Sequence, residues 1–346
     1  MAKLRRSKYK KPAAAERVAE PRFAPGDLAL LQLYGPEHGY ELLSADLIAL
    51  LLGKNHKYMQ HRVQALWHWN YLERWFPPRD YRQSGSPKAI YFPSRKGKTK
   101  LDEHYARKVT VKYVDPNEYH PFLPHTALRD RVRAITSAAI AHHPDLELLY
   151  HFKDGEFIDK FSAEKAINRN GTTTYRTVQY NVQPDWFFGL GRSLDLPVLN
   201  FPVECQRSKA RAAKSPKKAK RSLRKKYEAL YYAYKKERWR EWVKIKSVIK
   251  DPKNWRSLTV CDMQEQEFEN LIRAVRDIDE RGVGLRLTYF IRLQDLEERI
   301  SIVNERYTKS GKVVRERVIT KDSLMHFFDP IWRTPQQDDA LQSILT

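Results

Sequence analysis

The stretch PDWFFGLGRSLDLPVLNFPVECQ, residues 184–206, indicates the fold of the larger part of this chain. It contains two apolar runs, 186–190 and 199–205, whose length is typical of buried β-strands, with turn-forming residues between them. Around this stretch, similar patterns predict strands at 146–152, 175–182, 257–261 and 285–291 and helices at 125–141, 223–242 and 268–278. Strands interspersed with helices predict an α/β (α+β) domain with a mixed sheet at its core.

Two acidic residues accompany the strands of this stretch. Asp185 directly precedes the first strand, and Glu204 lies within the second. Because side chains alternate along a strand, Glu204 and Gln206 share one face. Asp185 and Glu204 can therefore converge at one end of the sheet, where their carboxylates would be ligands for Mg²⁺. A Mg²⁺ ion polarises a phosphodiester and activates water, so Asp185, Glu204 and Gln206 are the expected catalytic residues if this site is an active nuclease, and Mg²⁺ is expected only in that case.

The first hundred residues follow the element order of a winged helix-turn-helix. Apolar spacing predicts helices starting at 25, 45 and 55, and strands at 71–76 and 89–93 around a polar loop at 77–87. Gly53 lies between the second and third helices, where the DNA-binding form has its turn. We therefore predict a basic mobile tail at 1–24, a winged helix-turn-helix domain at 25–105 and a linker at 106–124.

The third predicted helix has a polar face opposite its apolar stripe. The apolar side chains recur with the period of a helix at Met59, Val63, Leu66 and Trp67. Side chains that can reach phosphates and base edges in a major groove lie opposite them or follow in the loop and returning strand: Lys57, His61, Gln64, Arg79, Arg82 and Lys88. The alternative is a solvated helix face in a winged helix that mediates only protein contacts.

The positive charge of the chain is concentrated. Lys and Arg number 64 against 42 Asp and Glu, for a formal net charge of +22. Residues 1–11 carry six basic residues and no acid, and residues 207–226 carry eleven and no acid. Such segments favour a polyanionic partner, first of all nucleic acid. We predict that the second segment clamps the DNA backbone through Arg207, Lys209, Arg211, Lys214, Lys217 and Lys218.

Several other classes of protein are disfavoured. No apolar run approaches the ~20 residues of a membrane-spanning helix, and the first residues lack the apolar stretch of a signal peptide. Cys205 and Cys261 stand far apart and no histidines cluster at ligand spacing, which argues against a disulfide framework and structural zinc. We therefore expect a cytoplasmic, nucleoid-associated protein without membrane partners.

The acidic pair also carries a family resemblance. Pro184-Asp185 followed by Glu204-x-Gln206 resembles the PD-(D/E)xK signature of restriction-endonuclease-like folds. The order of domains is similar to that of the replication-relaxation proteins of plasmids and integrative elements, in which a winged helix precedes such a domain. The His-Thr segment that opens that domain corresponds to 125–128, and the helix rich in lysine and tyrosine that follows the acids corresponds to 225–234.

This resemblance spans residues 25–335 and implies a nuclease-like domain at 125–340 with a basic insertion at 207–226. It implies a DNA-binding protein of a mobile genetic element. Its partners would be double-stranded DNA and other proteins of a replication, transfer or transposition complex.

One position departs from the nuclease signature. The signature has a lysine two residues after the second acid, and this chain has Gln206, whose neutral amide orients water but does not neutralise charge. Lys209 and Lys225 are the nearby lysines that could supply the charge. Three interpretations stay open: a nuclease-like domain that only binds DNA, an active Mg²⁺-dependent endonuclease, and a coincidental pair of acids. An RNA-binding or assembly subunit is a further alternative, because basic segments do not distinguish DNA from RNA.

Overall fold

The computed structural model describes residues 23–77, 88–111, 122–193, 195–207, 216–278, 287–307, 313–335 and 341–345. The chain divides into two compact units, residues 1–138 and 139–346. The mixed α/β class predicted from the sequence is confirmed.

The first unit combines helices with a small antiparallel sheet. Its elements are α1 (Pro25–Gln32), β1 (Leu43–Ser44), α2 (Ala45–Leu51), α3 (His56–His68), β2 (Leu72–Trp75), β3 (Ile90–Pro93) and α4 (Arg95–Tyr105). The sheet has the order β1-β3-β2, and both strand pairs are antiparallel. The three predicted helices and both predicted strands are confirmed. Helix α4 was not predicted; it begins where the Ser94 hydroxyl accepts the N–H of Gly97 at 3.2 Å.

Helix α3 packs by the stripe that its spacing predicts. Met59, Val63, Leu66 and Trp67 are all buried. The side chain of Asn55 caps the helix by accepting the N–H of Tyr58 at 3.1 Å. On its partly buried flank, Arg62 forms a two-pronged ion pair with the buried Asp27 of α1. This pair fixes the rotation of α3, and hence which of its side chains reach solvent.

Helix α5 (Leu123–His142) lies across the boundary between the two units. The carboxylate of Asp130 accepts the N–H groups of Glu41 and Leu42 at 2.6 and 2.8 Å. The Arg133 guanidinium donates to the carbonyl oxygen of His38 at 2.7 Å. These bonds explain why most of α5 belongs to the first unit, whereas the sequence analysis begins the second domain at residue 125.

The second unit is built around a mixed sheet. In chain order its elements are β4 (Glu147–Lys153), β5 (Asp159–Arg169), β6 (Thr172–Val182), β7 (Trp186–Gly191), β8 (Leu199–Arg207), α6 (Pro216–Lys235), α7 (Trp239–Ile245), β9 (Ser257–Asp262), α8 (Glu265–Arg276), β10 (Thr288–Arg292), α9 (Leu293–Arg299), β11 (Ile302–Tyr307), β12 (Val313–Val318), α10 (Lys321–Leu324), β13 (Trp332–Arg333) and β14 (Leu341–Gln342). Seven of these strands form one sheet in the order β14-β13-β10-β9-β8-β7-β4. Strand β9 is parallel to β8 and β10, and the other pairs are antiparallel.

Helix α6 crosses from β8 to its parallel neighbour β9 and covers one face of the sheet. Tyr227 and Leu230 are buried there, and the Tyr227 hydroxyl lies 3.3 Å from the Thr259 hydroxyl on β9. The single helix predicted at 223–242 is two helices in the structure. Glu237, at a left-handed φ of 49°, breaks the run between α6 and α7.

Two antiparallel two-stranded ribbons are not hydrogen-bonded to the main sheet. One is β5–β6, paired from Asp159 with Val182 to Arg169 with Thr172. Its turn consists of Asn170 and Gly171, whose φ angles of 50° and 80° are those a two-residue hairpin turn requires. The other is β11–β12. Of these four strands the sequence analysis predicts only β6.

Candidate active site and nucleic-acid interface

Asp185 is held at the start of β7 by the backbone of β8. Its N–H donates to the carbonyl oxygen of Val203 at 3.0 Å, and its carboxylate accepts the N–H of Cys205 at 2.7 Å. The residue is buried. Because the two residues of β8 that hold Asp185 flank Glu204, the carboxylates of Asp185 and Glu204 lie beside each other at one point of the sheet.

A lysine from helix α6 completes this group. The ammonium of Lys226 forms an ion pair with the carboxylate of Glu204, and its Nζ lies 3.8 Å from Oδ2 of Asp185. The side chain of Glu204 is 4% exposed and that of Lys226 is 30% exposed, so the cluster is inside the unit but open to solvent on the lysine side. We call Asp185, Glu204 and Lys226 the acidic-lysine cluster.

The protonation of the cluster follows from burial and from its neighbours. Burial raises the pKa of Glu204, and the adjacent Asp185 carboxylate raises it further. Lys226 lowers it but does not cancel these two effects, so the pKa of Glu204 is raised overall. Burial alone would lower the pKa of Lys226, but the two carboxylates outweigh it and raise that pKa. Lys226 therefore keeps its positive charge at neutral pH.

The lysine that contacts the acids in the structure differs from the two considered in the sequence analysis. Lys225 is exposed, and its neighbour Lys226 is the residue that contacts the acids. Lys209 lies outside the described residues. Gln206 is buried on the strand face that it shares with Glu204, in register with Cys261 of β9. A cation thus accompanies the two acids even though Gln206 occupies the position of the signature lysine.

The oxygen donors of this cluster suit a Mg²⁺ ion that is bound by few protein ligands. Within the part of the chain that the structure describes, no group of three or more His, Cys, Asp or Glu side chains is arranged to hold a metal ion. Mg²⁺ is commonly bound by only one or two carboxylates, with water and substrate phosphate completing its shell. Asp185 and Glu204 fit that pattern, which is one for an ion bound together with a phosphate substrate.

The predicted DNA-contacting face of α3 is exposed. Lys57, His61 and Gln64 all reach solvent on the side opposite the buried stripe. Tyr58, which the sequence analysis leaves out, is 58% exposed on the same helix. An aromatic ring in the first turn of an exposed helix face was detectable from the sequence as a break in its otherwise polar pattern.

The remaining predicted DNA contacts differ in their surroundings. Lys88 forms an ion pair with Asp46 at 2.6 Å, and Arg207 lies 3.5 Å from Asp262. These two cations are thus partly neutralised within the chain. The others cannot be placed: Arg79, Arg82, Lys209, Arg211 and Lys214 lie outside the described residues, and Lys217 and Lys218 belong to α6 but their side chains are not described.

Comparison of the chain with protein-family models, with curated proteins and with solved structures yields no match. Among the described helices, none combines the length and the apolar composition needed to cross a bilayer.

Proposed function

We propose that this chain binds duplex DNA and hydrolyses phosphodiester bonds at the acidic-lysine cluster. The observation that carries the proposal is the position of Lys226, whose ammonium group contacts two adjacent buried carboxylates. Two acids with a lysine are the groups that a carboxylate nuclease needs. The PD-(D/E)xK resemblance of Asp185 and Glu204 supports the same conclusion, with Lys226 in place of the signature lysine.

Each residue of the cluster then has a chemical role. Asp185 and Glu204 would hold Mg²⁺, which when bound polarises the phosphate and lowers the pKa of water. The ammonium of Lys226 stabilises the negative charge that develops on the phosphate oxygens, and Gln206 can orient water. In the reaction, a water oxygen forms a bond to phosphorus while a P–O ester bond breaks. The products are a phosphate monoester and a hydroxyl end that takes up the proton from water.

Incubation of supercoiled plasmid with Mg²⁺ or Mn²⁺ tests this activity. We expect the wild-type protein to nick or linearise the plasmid, and Glu204→Gln to reduce cleavage to background, because an amide is a poor ligand for Mg²⁺. Glu147→Gln is the matched control, since Glu147 is an exposed acid on β4. Cleavage that persists in Glu204→Gln would show that the activity belongs elsewhere. Absence of cleavage by the wild type would favour the alternative in which the nuclease-like domain only binds DNA.

DNA binding is proposed for the first unit through α3. The order of α1, α2 and α3 with an antiparallel sheet β1-β3-β2 supports a winged helix, in which α3 would be the recognition helix. The exposed Lys57, His61 and Gln64 have the side-chain chemistry for phosphate and base-edge contacts. The replication-relaxation resemblance favours a protein of a mobile genetic element, acting with replication, transfer or transposition proteins.

Salt titrations of DNA affinity test this interface. We expect the affinity of the wild type for duplex DNA to fall steeply with salt, and Lys57→Gln to reduce the slope of log K against log[salt] by about 1, because one phosphate contact is lost. Lys100→Gln removes the same charge from α4, where Lys100 is paired with Glu103 at 2.7 Å, and should leave the slope unchanged. Fluorescence anisotropy provides the measurement. Equal slopes for Lys57→Gln and wild type would exclude this contact, and preference for RNA in competition would favour the RNA-binding alternative.

A further inference from the structure

We infer that the far half of the β5–β6 ribbon is a second DNA-contacting element, which lays duplex DNA against the acidic-lysine cluster. This inference rests on the proposed function and adds a surface that neither the nuclease signature nor the winged helix includes. The far half comprises Arg176, the four strand pairs beyond the Lys165–Arg176 pair, and the turn at 170–171.

The near half of the ribbon is fixed to the unit, so its direction is defined. Phe161 and Tyr180 are buried partners across the ribbon, and the Tyr180 ring stacks on Tyr232 of α6 with centroids 4.9 Å apart. Lys165 donates to the carboxylate of Glu228 on α6 at 2.6 Å. Beyond that ion pair the ribbon continues for about 13 Å, at about 3.3 Å for each of its four pairs.

The far half is exposed and its chemistry suits a polyanion. Thr172–Thr174 and Arg176 are exposed, and the ring of Tyr175 is 71% exposed. Residues 166–176 contain two basic residues, Arg169 and Arg176, and no Asp or Glu. Threonine, asparagine, tyrosine and arginine side chains are donors to phosphate and sugar oxygens in protein–DNA complexes.

The ribbon is continuous with the cluster. Strand β6 ends at Val182, and Asp185 follows after one short turn. On α6, Glu228 holds the ribbon and Lys226, two residues before it, contacts the acids, so the start of the far half and the cluster lie at nearly the same level of the helix, about 3 Å apart along its axis. A two-stranded β-ribbon also has the width that the major groove admits. DNA that contacts the far half is thereby held close to the carboxylates.

A shortened ribbon tests the inference in the full-length chain. Deletion of residues 166–169 together with 172–175 joins the Lys165–Arg176 pair directly to the turn at 170–171. Because four residues leave each strand, every remaining side chain keeps its face. We expect affinity for a fluorescein-labelled duplex to fall about tenfold, the equivalent of one lost charge-assisted contact. The thermal unfolding midpoint of the shortened protein shows whether it is folded.

Point variants keep the test independent of the deletion. Arg176→Gln should also lower DNA affinity about tenfold, because it removes one charge-assisted phosphate contact. Arg315→Gln is the control, because it removes the same charge from an exposed position on the β11–β12 ribbon. Equal losses of DNA affinity in Arg176→Gln and Arg315→Gln would overturn the inference. It would also be overturned if the wild type binds DNA and both Arg176→Gln and the shortened chain bind it with the same affinity. Failure of the wild type itself to bind duplex DNA would instead refute the proposed function.

Discussion

Replacement of Lys226 by methionine should abolish Mg²⁺-dependent cleavage of plasmid DNA. Methionine retains much of the apolar stem of lysine but has no charge, so the developing negative charge on the phosphate loses its stabilising cation. Loss of one such group lowers a rate by about 10²–10³-fold in other enzymes. The single-turnover rate of nicking at saturating DNA measures the effect without the contribution of affinity.

Lys236→Met provides the control for this experiment. Lys236 is exposed beyond the end of α6, so its replacement removes the same charge at a position remote from the acids. We expect Lys236→Met to retain most of the wild-type rate. A Lys226→Met protein that is folded and cleaves as fast as Lys236→Met would contradict the assignment. Lys226→Arg restores a cation, and partial recovery of the rate would distinguish a charge requirement from a packing defect.

Replacement of Asp159 by alanine should destabilise the second unit by about 3 kcal/mol, because it leaves the buried indole of Trp242 without its acceptor and removes the partner of the partly exposed Arg238. Asp159 is 1% exposed at the base of the β5–β6 ribbon. Its carboxylate accepts hydrogen bonds from Arg238 and from the indole of Trp242, each at 3.2 Å. The change leaves both donors without their acceptor. Urea unfolding followed by tryptophan fluorescence measures the free energy.

An exposed ion pair of the same unit supplies the comparison. Asp145 lies 3.5 Å from Arg192, and both side chains are more than half exposed. Asp145→Ala should therefore cost less than about 1 kcal/mol. The amide oxygen of Asp159→Asn can still accept the indole N–H of Trp242. The loss of unfolding free energy in this variant should therefore lie between those of Asp159→Ala and Asp145→Ala. If Asp159→Ala and Asp145→Ala cost the same, the network of Asp159, Arg238 and Trp242 does not hold the base of the ribbon.

Much of the fold was predictable because the relevant signals are local. The apolar stripe of α3 recurs at helical spacing, and β7 and β8 are continuous apolar runs. Strand β5 was missed for the opposite reason: its sequence, DKFSAEKAINR, is rich in lysine, glutamate and alanine, which are depleted in strands. The Asn170-Gly171 turn signal was present in the sequence and, paired with the predicted β6, would have identified the hairpin.

The position of Lys226 beside the two acids could not be predicted in the same way. Neighbouring residues of a helix are rotated by about 100°, so the orientation of α6 alone decides between Lys225 and Lys226. That orientation is set by burial of Tyr227 and Leu230 against the sheet, a tertiary contact that no spacing along the strand encodes. The proximity of Asp185 and Glu204 was accessible from the sequence because antiparallel neighbours with alternating side chains restrict where the two acids can lie.

The ion pair of Lys226 also bears on how this unit comes to be folded. In proteins whose metal ligands repel each other, ion binding supplies folding free energy and a chelator unfolds the chain. Here the ammonium group supplies a built-in counterion for the two carboxylates. Under the proposed function we therefore expect the unit to fold without a divalent ion, which would be needed for cleavage alone.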